Sequence, residues 1–238
     1  FGALINRGRI PEATILGLAG SYGNIGTMAP ALTIALLGGA AATPTALVFC
    51  FDLALISALV PFMMALGGTQ RTDKWAMLAG IARRIFFNPI VLATIIGFLA
   101  AAIGLRLPRP IDSLLAMLGG GAAPAALFAL GLALAQRPIR RPSLDVPAVV
   151  AAKLILHPMI VYLLLSWIGG FERVWVFTAM LLAALPPATN VLAIARRYET
   201  YVDRASSAIL YGTAASVVTV TVVVALVAAN VLPVDPFH

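Results

Sequence analysis

Two long apolar stretches each carry a lone asparagine beside helix-breaking residues. The first reads Gly20-Ser21-Tyr22-Gly23-Asn24-Ile25-Gly26-Thr27-Met28-Ala29-Pro30, the second Leu185-Pro186-Pro187-Ala188-Thr189-Asn190-Val191. Pro30, Pro186 and Pro187 are the expected breakers, because proline lacks an N–H and its ring clashes with the preceding turn. Gly23 and Gly26 add backbone freedom beside them. Unwinding a helix frees N–H and C=O groups to meet a ligand. The N-terminal end of a half-helix favours an anion. An asparagine at the break adds two donors and an acceptor without burying a charge. Asn24 and Asn190 are therefore candidate ligands for a polar or anionic solute. The plainer alternative is that each only satisfies backbone freed by its own break.

Three ionisable residues lie inside apolar runs: Asp52, Lys153 and His157. Such groups are costly in a bilayer and face a cavity or pair with one another. Lys153 and His157 are four apart and share one helix face. Lys153 reads either as an electrostatic anchor for an anion or proton-coupling group, or as half of a structural pair with Asp52. His157 and Asp52 read as structural or coupling groups. Gly119-Gly120-Gly121 with Pro124 marks a third irregular place, where small residues would allow close helix approach. Cys50 is the single cysteine, so no internal disulfide or multi-cysteine metal site exists.

The elements that must position these groups are membrane spans. Of the 238 residues, 61% are hydrophobic and 11% charged, and the mean hydropathy is +1.01. A soluble domain carries about 25% charged residues. This is an all-α polytopic membrane protein. A span needs about 20 apolar residues, and seven runs qualify: about 13–37, 44–66, 88–105, 111–135, 146–169, 174–195 and 205–232. The first and sixth are broken. If the connecting loops alternate sides, one side holds 12 Lys and Arg residues and the other only Arg106, Arg109 and Arg173. That bias places the N-terminal side inside and the C-terminus outside. The net charge of +7 follows from these loops and does not point to nucleic acid. Residues 73–87, with Trp75, Leu78, Ile81 and Ile85 at helical spacing among basic residues, suit a helix lying on the inner membrane surface.

The spans also suggest a repeat. Asn24 and Asn190 lie 166 positions apart, and each broken span is followed by one more span. The second break falls in the fourth span counted from Asn88. Two equal halves would then hold five spans each with the fourth broken, an odd number that inverts the second half. On this reading residues 1–66 end the first repeat, 67–87 form a basic cytoplasmic linker, and 88–238 form the second repeat. The opening Phe1-Gly2-Ala3-Leu4-Ile5 resembles the tail of an apolar segment, so three spans are expected to precede it.

The ordered motifs resemble the auxin efflux carrier family, which includes plant PIN carriers and bacterial malonate and malate permease-like members. Tyr22-Gly23-Asn24 followed by Pro30 resembles that family's fourth-helix crossover, and Asn88-Pro89-Ile90-Val91 with Gly97 its sixth helix. Leu127-Phe128-Ala129-Leu130-Gly131-Leu132 resembles its seventh, and Lys153 with Pro158 the bacterial eighth. Ala184-Leu185-Pro186-Pro187, Asn190-Val191 and Ala195-Arg196-Arg197-Tyr198 resemble the ninth. Ala29 departs from the family, where a glycine is common. The region from Pro187 to Asn190 differs from the plant sequence, which argues against auxin as the solute. The resemblance implies ten helices in two inverted repeats, a bile-acid/sodium symporter-like fold in which two broken helices cross at their prolines. It implies elevator-like movement and carries Asn24, Pro30, Pro186, Pro187, Asn190 and Lys153 over as site residues.

The function expected is a secondary transporter of small organic anions, dicarboxylates such as malonate or malate preferred, in the inner (plasma) membrane. It would need no cofactor or metal. Protons are the candidate coupling ion and a homodimer the candidate assembly. A channel or uniporter is the alternative. A seven-helix receptor with a Schiff base on Lys153 leaves the broken helices unexplained. An intramembrane enzyme lacks a nucleophile–His or paired-Asp motif. No G-x-x-x-x-G-K-[ST] loop for ATP occurs. The charge bias sets a topology that labelling can check. In a Cys50-free background, a cysteine at Gly68 or Pro138 should react with impermeant maleimide only from the cytoplasmic side. One at Gly170 or His238 should react only from outside, and labelling of the Pro138 and Gly170 variants from one side would refute the map.

Overall fold

The computed structural model describes residues 9–68, 79–80, 82–83, 86–87, 89–135, 143–234 and 236. The surface helix expected over 73–87 and most of the basic linker lie outside the described residues.

Helices α1 (Ile10–Ser21) and α2 (Ile25–Leu37) run either side of Tyr22, Gly23 and Asn24. Proline stands in the first turn of α1, where its missing N–H has no intrahelical acceptor. α2 stops at Gly38, whose φ of +77° suits glycine. One 3-10 turn, Gly39–Ala41, leads into α3 (Ala42–Leu66). Then follow α4 (Pro89–Ala102) and α5 (Arg109–Ala135). Helix α6 (Asp145–Ile168) contains a π-helical turn, Ala152–Leu156. After it come α7 (Arg173–Ala184), α8 (Asn190–Arg197) and α9 (Val202–Ala228).

Among the described residues, three stretches are long and apolar enough to cross a membrane alone: Gly39–Leu66, Asp145–Ile168 and Val202–Ala228. The two breaks fall where two of the expected spans are interrupted, between α1 and α2 and between α7 and α8. α5 passes through Gly119-Gly120-Gly121 as unbroken helix. A Cβ added at any of those glycines would meet no described atom within 4 Å, although α5 as a whole packs against α2.

Large apolar side chains point outward: Phe51, Trp167 and Val217 are each at least 69% exposed. Such a surface suits lipid and would associate in water. Inside the bilayer, helices gain little from leaving lipid for each other, so packing and interhelical hydrogen bonds must hold them together. α7 is the hub: it packs against α2, α3, α6 and α9, and Val176, Phe177 and Thr178 and all residues from Met180 to Ala184 are buried. One core cluster joins α1, α3, α6, α8 and α9, and another joins α6, α7 and α9. A small cluster of Ile25, Ala29, Leu182 and Leu185 sits where the two breaks meet. Polar ties supplement the packing. The Thr33 and Thr45 hydroxyls lie 2.9 Å apart and link α2 to α3. Arg204 reaches Asp145 at 2.7 Å, joining the starts of α9 and α6. Toward the far ends of α6 and α9, the Tyr162 hydroxyl donates to the Pro233 carbonyl at 2.7 Å, and Arg173 donates to Asn230.

Candidate functional site

In a continuous α-helix the carbonyls of Leu182 and Ala183 would accept from the N–H groups of residues 186 and 187. Both of those residues are proline, so both donors are missing. The residue before a proline avoids helical backbone, and Leu185 is extended, with φ −62° and ψ 147°. The chain leaves the helix here because it has no way to continue.

The first break meets the second and repairs it. The Asn24 N–H donates to the Pro186 carbonyl at 2.9 Å, and the Ala188 N–H donates to the Tyr22 carbonyl at 3.0 Å. The two bonds form an antiparallel bridge between Gly23 and Pro187, the one isolated β contact among the described residues. Two of the donor-depleted carbonyls are met separately. Leu182 accepts from the Leu185 N–H at 3.3 Å, and Ala183 accepts from the Lys153 ammonium at 2.7 Å.

Lys153 reaches this spot from the π-helical turn of α6, in which the His157 N–H bonds back to the Ala152 carbonyl. The wider register sits immediately before Pro158, which cannot donate. The Lys153 side chain is wholly buried. Its Nζ also lies 3.0 Å from His157 Nδ1. With the ammonium as donor, Nδ1 accepts and the ring proton sits on Nε2. Lys153 makes no ion pair with Asp52 among the described residues. The direct pair considered from the sequence is replaced by the carbonyl and imidazole contacts, although Asp52 lies near enough for its charge to reach Lys153.

Glycine makes room at two places around the crossing. A Cβ on Gly23 would lie 3.1 Å from the Leu182 carbonyl oxygen and 3.3 Å from Lys153 Nζ. A Cβ on Gly212 of α9 would lie 2.6 Å from Pro187 Cδ and 3.0 Å from Cγ. Gly212 thus makes room for the proline ring.

Pro30 is the expectation the structure corrects. It stands inside α2, and the break precedes it, at Tyr22–Asn24, because there the backbone has the partner strand of the second break to bond. Pro186 and Pro187 break their helix as expected, but the first helix crosses at Gly23. Gly26 lies in the first turn of α2, where an added Cβ would approach Phe49 to 3.0 Å; Gly26 and Pro30 line a separate cavity of about 230 Å³.

Asn24 is buried. Its side-chain oxygen accepts from the Thr27 hydroxyl at 2.7 Å, leaving its NH₂ group without a partner among the described residues. Asn190 is the exposed first residue of α8, and it lines a cavity together with Tyr22. Two cavities flank the crossing. A cleft of about 730 Å³ is lined by Tyr22, Gly23, Asp52, His157 and Ala183 together with apolar residues of α1 and α3. A cavity of about 360 Å³ is lined by Tyr22, Ser57, Asn190, Arg197 and Tyr198 with apolar neighbours. Tyr22 borders both.

The structure therefore joins Gly23, Pro186, Pro187, Lys153 and His157 directly, brings Asp52 to the larger cleft, and sets Asn24 and Asn190 on the helices that restart from the crossing. Tyr22, Thr27 and Gly212 were missed from the sequence. Thr27 was findable, three residues after Asn24 and so on its face. Gly212 had no local signal, since its reason is a proline ring 25 positions away.

A sequence profile of the membrane transport protein family matches residues 3–224. The chain belongs to this family. It is 44% identical over 237 residues to a Rhizobium meliloti (strain 1021) protein described as "Putative malonate transporter", a match covering the whole of this chain and 74% of the relative. The auxin efflux carrier resemblance is thereby shown, and the protein is a membrane transporter of this family. Irregular backbone at membrane depth is tolerated only where protein or a water-filled cavity surrounds it, and the crossing lies between two cavities.

The crossing's tight fit can be tested at Gly212. Gly212→Ala forces a methyl group into the Pro187 ring, and such overpacking costs about 1–3 kcal/mol. At roughly 2–4 °C per kcal/mol for a chain of this size, the detergent-solubilised variant should melt several degrees lower. Gly97→Ala, with nothing within 4 Å of the added Cβ, should melt no lower than wild type.

Proposed function

We propose that this transporter carries small organic anions, with dicarboxylates such as malonate or malate as preferred solutes, by alternating access around the crossed broken helices. The observation that carries the reading is the reciprocal bonding of Asn24 to Pro186 and of Ala188 to Tyr22. It ties both breaks into one body and makes two half-helices, α2 and α8, begin at the crossing. Each turns the positive end of its dipole toward the crossing. Two such ends suit the two carboxylates of a dicarboxylate.

In this reading Asn24 and Asn190 contact the solute, and Lys153 contributes positive potential from beneath. The prolines and Gly23 shape the crossing, which moves as a unit against a scaffold in elevator fashion. Asp52 and His157, at the wall of the larger cleft, are the groups placed to load a coupling proton. The 44% identity to a relative described as a malonate transporter supports the choice of solute. Placement in the inner (plasma) membrane with the C-terminus outside, two inverted five-helix repeats and a homodimer belong to the same proposal.

The test is uptake of radiolabelled malonate and malate by vesicles carrying the protein, with and without an imposed proton gradient. Saturable uptake of one, inhibited by the other and raised by the gradient, is expected. Uptake indifferent to any gradient would mark a uniporter or channel. Asn24→Ala and Asn190→Ala should each lower uptake about tenfold or more, as loss of hydrogen bonds to a charged group worth about 1.5–3 kcal/mol implies, while melting stays near wild type. Normal uptake in both variants would place the solute elsewhere.

A further inference from the structure

Half-helix C-termini and unwound carbonyls are where transporters with broken helices coordinate a dissolved cation such as Na⁺. In this chain α7 presents such an end. The twin prolines remove the N–H groups that would cover the Leu182 and Ala183 carbonyls, and the partial negative charge of the helix C-terminus collects there. The position next to it is already filled. Lys153 Nζ lies 2.7 Å from the Ala183 carbonyl oxygen and 3.0 Å from His157 Nδ1. Its side chain has no exposure. Gly23, opposite, has no side chain to intervene: a Cβ there would be 3.3 Å from Nζ and 3.1 Å from the Leu182 oxygen. An ammonium, a point charge with three donors, thus stands at the Ala183 carbonyl beside the bridge that joins the two breaks.

We infer that Lys153 is a tethered cation. It occupies the position that a dissolved alkali ion would take at the end of α7, and it holds the crossing together without one. The consequence, which rests on the reading of this protein as a coupled carrier, is that neither the fold of the crossing nor transport requires Na⁺. Deleting the side chain should open a small site that accepts a free monovalent cation.

The experiment compares wild type, Lys153→Ala and Lys153→Met. Each is purified in detergent and melted in choline, sodium or methylammonium chloride at equal ionic strength. The same proteins are assayed for malonate uptake in vesicles. Wild type should melt at one temperature in all three salts and take up malonate equally in sodium and choline. Lys153→Ala should melt several degrees lower in choline and regain at least half of that loss in methylammonium, which replaces the end of the lysine side chain. Sodium should restore part of it, in a concentration-dependent way, because a cation binding only the folded state raises its stability by mass action. Lys153→Met, neutral and similar in length, should stay low in every salt. A sodium requirement in wild type would overturn the inference. So would Lys153→Met melting with wild type, or a folded Lys153→Ala indifferent to all cations. If Lys153→Ala does not fold, Lys153→Met and the wild-type salt comparison still decide. Cation rescue of melting without uptake of any dicarboxylate would leave the tethered cation standing and remove the proposed solute instead.

Discussion

A backbone carbonyl in a bilayer has no water to turn to, and leaving it bare costs several kcal/mol. Pro186 and Pro187 create that problem twice in succession, at Leu182 and Ala183. Much of the site is the set of answers. Leu185 folds back onto Leu182. Lys153 crosses from α6 to Ala183. The Pro186 carbonyl is met by Asn24 of the other break, and the Tyr22 carbonyl by Ala188. The two breaks are therefore not independent defects. Each is tolerable because the other is opposite.

This mutual repair explains the residues around it. A backbone bridge brings main chains to within hydrogen-bond distance, so side chains at the contact must be minimal, and Gly23 and Gly212 are where the room is made. It also explains why α7 is the most buried helix of the hub. The last turn of α7 lacks helical partners, and protein and the larger cleft surround it. α6 contributes through a helix whose own register widens just before Pro158, which sets Lys153 and Leu154 inward. In a bundle tied this way, α1–α2 and α7–α8 share a pair of backbone bonds at their breaks.

The breaks were legible from the sequence because they rest on local chemistry: prolines, glycines and asparagines inside runs too apolar to be loops. The second was placed at Pro186-Pro187, where the structure has it. The first was legible as a place but not as a mechanism. Pro30 is the strongest breaker in Gly20–Pro30 by intrinsic cost, yet α2 runs through it, because the backbone at Tyr22–Asn24 had bonds to gain from another part of the chain. The burial of Lys153 was legible from its depth in a span. Its partner was not, since a carbonyl 30 positions away carries no side-chain signature, and an acidic residue such as Asp52 is the partner a sequence reader looks for. Gly212 was silent for the same reason: its neighbour Pro187 becomes a neighbour only in three dimensions.

The position of Lys153 also bears on why an anion carrier would tolerate a buried charge. Alone, an ammonium in a low-dielectric interior is strongly disfavoured. Here it donates to the Ala183 carbonyl at the negative end of α7, which no helical N–H covers, and that contact offsets part of the cost. On the proposed transport reading the same charge has a second use. A dicarboxylate moving with the crossing brings two negative charges into the bilayer, and a fixed positive charge under the site lowers the net charge that the moving body carries across. A free ion would have to bind and leave in each cycle, whereas Lys153 travels with the helices that it holds. The residue that satisfies the broken helix and the residue that moderates the charge of the solute are then the same one, because both tasks need a cation at the place where α7 ends.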